Sequence, residues 1–161
     1  MAERRGMIGV NGNPSLLEFV RQMKEADGHV EQDEDGCGDC IVAAFFLMSA
    51  MIAEKMITPK DEDVTLVHAI IHGTGPQEGK LIFHAWIEWR GFAWDAANNH
   101  LFVFLARDYR EHAEVVVTRE YTPKQVWKLF TTHETYGPWD PIFNDKSLFR
   151  DSEQEQERAT G

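Results

Sequence analysis

Cysteine is scarce in this chain: two residues, Cys37 and Cys40, in 161. Two are too few for a disulfide framework, so free thiols in a reducing compartment are expected. Basic residues are also in deficit, with 16 Lys and Arg against 27 Asp and Glu and a net charge of −11. Phosphate backbones and anionic membranes demand a basic patch, and the deficit argues against nucleic-acid and membrane partners. Long apolar runs are missing too. The longest, residues 40–53, is too short to span a bilayer and reads as a buried helix. Residues 1–5 lead into no hydrophobic signal region, so a cytoplasmic location is the default. No internal repeat is evident.

What the chain has is core. A hydrophobic fraction of 43% with 11% aromatic residues is enough for one packed domain. Residues 1–12 read as a loose lead-in, 13–150 as the domain and 151–161 as a disordered polar tail. Asn13-Pro14 starts a helix, with Asn at the N-cap and Pro at the first helical position. Leu16, Leu17, Val20 and Met23 follow at helical spacing, and Gly28 is a stop. Residues 31–35 form a loop with four carboxylates. A helix from about 40 to 56 is apolar all round through Ala53, which marks it as central.

Strands are expected at 64–71, 81–89, 92–96, 101–105 and 114–118. Residues 73–79 form a turn, and Arg90-Gly91 a tight one. Thr122 and Gln125 have the form of a capping box opening a helix to about Thr132. Tyr136-Gly137-Pro138-Trp139 reads as a turn-rich segment that closes the core. Helices first and an antiparallel sheet afterwards is an α+β pattern.

Cys40 follows the run Gly36-Cys37-Gly38-Asp39 at the mouth of the central helix, where the helix dipole favours a thiolate. If Arg90-Gly91 is a two-residue hairpin turn, Trp89 pairs with Phe92 and Trp86 with Asp95. Side chains alternate along a strand, so His84 shares a face with Trp86 and becomes a diagonal neighbour of Asp95. A register slip of one residue would separate them. An imidazole accepts the proton of a thiol, and a carboxylate fixes its tautomer and stabilises the imidazolium. Backbone N–H groups at the helix start suit the oxyanion of a tetrahedral intermediate. The four carboxylates of the 31–35 loop oppose thiolate formation unless they point into solvent.

The segment Gly36-Cys37-Gly38-Asp39-Cys40-Ile41-Val42-Ala43-Ala44-Phe45 resembles the nucleophile segment of papain-type enzymes. His84-Ala85-Trp86-Ile87-Glu88, followed by Gly91 and Trp94-Asp95, resembles the transglutaminase-like branch of the same papain-like fold superfamily. The resemblance covers residues 36–96. It implies a papain-like α+β fold, a central buried helix packed on an antiparallel sheet. It also implies Cys40 as nucleophile, His84 as base and Asp95 as orienting acid. The papain pattern has an oxyanion-hole glutamine six residues before the nucleophile, where this chain has Glu34. Gln32 lies close to that position and is a candidate substrate-binding residue. Trp86, on the face of His84, is the other.

The expected activity is thiol-dependent acyl transfer on a protein or peptide. Peptide or isopeptide hydrolysis comes first, with glutamine deamidation or transamidation from the same intermediate; no cofactor is expected. Three alternatives stand beside it. One is a catalytically silent binding domain of the same fold. The second is a Cys-x-x-Cys redox pair. The third is a zinc site using both cysteines with His68, His72 or His100.

Overall fold

The computed structural model describes residues 10, 11, 13–28 and 37–145. Its architecture is α+β: four helices and five main antiparallel strands, with a two-residue strand added at one edge. In chain order these are β1 (Val10–Asn11), α1 (Pro14–Ala26), α2 (Cys37–Ala53), β2 (Val64–His72) and β3 (Leu81–Trp89). They continue with β4 (Phe92–Asp95), β5 (Phe102–Leu105), α3 (Ala106–Ala113), β6 (Val117–Tyr121) and α4 (Pro123–His133). The strands lie in the order β1-β5-β4-β3-β2-β6.

The local signals behave as their chemistry requires. Asn13 Oδ1 accepts from the Ser15 N–H at 2.9 Å, capping α1. At α4 the Thr122 N–H donates to Gln125 Oε1 at 2.9 Å, and Thr122 Oγ1 accepts from the Gln125 N–H at 3.4 Å. Arg90 and Gly91 both have positive φ, 52° and 79°, the geometry that joins twisted strands through a two-residue loop. The β3–β4 register is the expected one as far as it extends: Trp89 opposite Phe92, Glu88 opposite Ala93, Ile87 opposite Trp94.

The two faces of the sheet carry different cores. Leu66, Ile70, Phe83, Ala85 and Ile87 pack under α2, whose residues 42–48 are all buried. Val67, Ala69, Ile71, Trp86 and Ala93 face the other way, against Tyr109 and Ala113 of α3. Alternation along β2 and β3 thus feeds helices on both sides.

Several expectations are corrected. Val10 and Asn11, assigned to a loose lead-in, pair with Val103 and Phe102 of β5. The central helix begins at Cys37, three residues earlier than read, so its first turn already includes Cys37. It ends at Ala53, and Lys55 turns the chain away at φ 59°. Helix α3 was missed because its polar sequence buries only Tyr109 and Ala113. The last strand runs 117–121 instead of 114–118, since α3 and its left-handed cap Glu114 consume the earlier residues. In α1 the inward stripe is Leu16, Val20 and Lys24, while Met23 is exposed. The acidic loop 31–35 and the tail 151–161 lie outside the described residues. No described helix is long and apolar enough to cross a membrane.

Candidate active site

β3 outruns β4. The β3–β4 ladder ends at Ile87 and Trp94, and past that split Asp95 stays paired only with Phe102 of β5, on its other side. The first turn of α2 meets this split, with Cys40 Sγ 4.0 Å from the Phe83 carbonyl oxygen and Asp39 reaching the Ala97–Asn99 turn. Thus a helix that packs on one face meets an imidazole carried on the other.

His84 Nε2 lies 2.9 Å from Asp95 Oδ2. Burial depresses the imidazole's affinity for a proton, but the charge and hydrogen bond of Asp95, then contacts with Cys40, outweigh it and hold the pKa well above the ordinary value. Burial likewise opposes the charge on Asp95, yet His84, Tyr109 and the Ala97 N–H hold its carboxyl below the usual range. The Ala97 N–H donates to Asp95 Oδ1 at 2.9 Å. With Nε2 turned to the carboxylate, Nδ1 is the nitrogen left for a thiol. The three residues read from the sequence as a triad are therefore brought together.

A fourth joins them. Tyr109 donates its hydroxyl to Asp95 Oδ2 at 2.5 Å, and the phenol oxygen itself lies 2.8 Å from His84 Nε2. Burial first, then the Asp95 charge, pushes the phenol pKa well up, so it stays a neutral donor. Sequence spacing held no sign of this contact. The only signal was one aromatic in the charged run Arg107-Asp108-Tyr109-Arg110.

Trp86 does not take the substrate-facing place expected of it. It is fully buried and packs against His84 and Tyr109 with ring centroids 5.8 and 5.0 Å away. Its indole donates to Glu88 Oε2 at 3.0 Å. Arg110 Nε also donates to that oxygen, at 2.8 Å. The carboxylate of the His-Ala-Trp-x-Glu segment thereby ties α3 to β3 and sets Tyr109 over the pair. Gln32 lies outside the described residues.

Cys40 itself is 1% exposed. Among the described residues no group of three or more His, Cys, Asp or Glu side chains is placed to hold a metal. His68 is wholly buried among Phe83, Tyr121, Trp139 and Phe143, and neither ring nitrogen has a hydrogen-bond partner. Burial pulls its pKa down to about 3, so it is a neutral core residue. His100 stacks on Phe102. Comparison with family models, curated proteins and solved structures finds no match.

Proposed function

We propose that the chain is a thiol-dependent acyl-transfer enzyme of papain-like, transglutaminase-like architecture. Cys40 is the nucleophile, His84 the base and Asp95 the orienting acid. The observation that carries the reading is the His84 Nε2–Asp95 Oδ2 contact of 2.9 Å, with Cys40 among the groups that raise the imidazole's proton affinity.

In this reading His84 takes the Cys40 proton and the sulfur attacks an amide carbonyl carbon. In this proposal the backbone N–H groups at the start of α2 receive the oxyanion. The C–N bond breaks as His84 returns the proton to the departing amine, leaving a thioester. Water or an amine then attacks that thioester, giving its proton to His84, and the thiol is released on protonation. Hydrolysis of a peptide or isopeptide bond is the primary activity; deamidation and transamidation share the intermediate. A protein or peptide substrate and a reducing, cytoplasmic setting belong to the same proposal.

The test is alkylation by iodoacetamide, located by peptide mass spectrometry, together with acyl transfer from a small activated ester. Cys40 is expected to react, and His84→Ala to slow it about a hundredfold, the lower end of the range for losing a general base. Unchanged reactivity in His84→Ala overturns the dyad. The burial of Cys40 favours a second reading, a silent binding domain of the same fold. Alkylation without any acyl transfer would select it.

A further inference from the structure

Lys24 stands where the apolar stripe of α1 continues, one turn beyond Val20, yet it is only 4% exposed. A lysine in that place needs a partner, because a buried cation without one is costly. Its Nζ lies 2.7 Å from Asp39 Oδ1, and both side chains are at least nine-tenths buried. Asp39 is the residue immediately before Cys40. Its other oxygen, Oδ2, accepts from the Asn98 N–H at 2.7 Å. Asn98 sits in a left-handed conformation, φ 58° and ψ 38°, and the preceding N–H, of Ala97, goes to Asp95. Two carboxylates therefore grip successive N–H groups of one turn. One precedes the nucleophile and the other orients the base.

We propose that Lys24 and Asp39 form a charge-balanced brace that positions Cys40 against the His84–Asp95 pair and cancels the negative charge beside the thiol. The proposal rests on Cys40 being the nucleophile. Buried ion pairs contribute little net stability, because desolvation offsets their attraction. What the pair supplies is position and balance. A carboxylate one residue from a thiolate repels it, and the ammonium removes that repulsion. Among the described residues, the other titratable groups around the thiol are His84 from β3, Asp95 from β4 and Tyr109 from α3, which senses the Cys40 charge; the acidic loop 31–35 lies outside them. His68 on β2 is neutral, and the Ala97–Asn99 turn carries no titratable side chain. Lys24 and Asp39 are positioning residues in this scheme.

The experiment is a pH titration of thiolate ultraviolet absorbance in the full chain, taken as the difference from Cys40→Ser so that Cys37 cancels. Lys24→Met removes the cation that faces Asp39 and is expected to move the Cys40 midpoint alkaline by on the order of one pH unit. Asp39→Asn keeps an acceptor for Asn98, leaves the cation and moves the midpoint acid. The double variant returns toward wild type, and Lys24→Arg stays near it. A merely structural pair predicts shifts of one sign or none, and either result overturns the brace. If Lys24→Met does not fold by circular dichroism, Asp39→Asn and Lys24→Arg still decide. His84→Ala separates the failures. If it leaves the titration unmoved, the dyad itself is wrong. If it moves the midpoint while the Lys24 and Asp39 variants do not, only the brace is lost.

Discussion

Tyr109 and Asp95, fourteen residues apart on α3 and β4, share a hydrogen bond of 2.5 Å whose phenol oxygen also touches His84. The carboxylate is thus fixed from two sides, by the imidazole and the phenol, while its second oxygen is held by Ala97. An acid so constrained keeps the imidazole in one tautomer and one orientation.

Tyr109→Phe keeps the ring against Trp86 and removes only the hydroxyl. The expected cost is about 1–2 kcal/mol in urea unfolding, the range for losing a buried hydrogen bond. Cys40 alkylation is expected to slow several-fold as Asp95 gains freedom. A variant as stable and as reactive as wild type would show the phenol to be incidental.

Asp95→Asn removes the charge that overcomes burial at His84. Nuclear magnetic resonance titration of the His84 ring is expected to show a midpoint well below the wild-type one. The sign for stability follows from linkage. Because the folded pKa of His84 is raised, its contribution is fully present below the unfolded value near 6.5 and is lost as pH rises through the folded value. Asp95 is depressed, so its contribution holds above its ordinary 3.8 and is lost as pH falls through the lowered value. The variant should lose on the order of 2–3 kcal/mol near pH 6, and less where the wild-type imidazole has already discharged.

His68 has the opposite sense. Its pKa falls from 6.5 to about 3 on folding, so the unfolded chain takes up the proton first as the solution is acidified. Stability should therefore decline by about 1.4 kcal/mol per pH unit from this residue alone, between the unfolded and folded values. His68→Leu should flatten that part of the stability–pH curve. An unchanged slope would mean that the imidazole finds a partner in solution.

Gly91→Ala tests the hairpin that brings β3 and β4 into register. A Cβ there meets no atom within 4 Å, so the penalty is purely that of φ 79°. About 1 kcal/mol of destabilisation is expected, with the alkylation rate of Cys40 unchanged. A large loss of reactivity would show that the turn also tunes the site.

The hairpin was legible because strand periodicity is local. Alternation and a two-residue Arg90-Gly91 turn allow one register, and that register decides which side chains share a face. The caps at Asn13 and Thr122 were legible for the same reason, since each bond spans a few residues. Tyr109 was not, because its place depends on α3 crossing the back of the sheet, held by Glu88 and Arg110 across 22 residues. Lys24 was hidden by its type: a lysine among Leu16 and Val20 reads as the polar edge of a helix until its partner is seen.

The sequence alone determined the α+β class, most element positions and the pairing of His84 with Asp95, all consequences of periodicities and turns within one hairpin or helix. It placed Cys40 near the start of the central helix. Only the tertiary structure decided that this start meets the split between β3 and β4, that Trp86 is a buried support, and that Tyr109, Lys24 and Asp39 surround the site. Those facts depend on how distant elements pack, and packing is set by the joint fit of faces that no local pattern encodes.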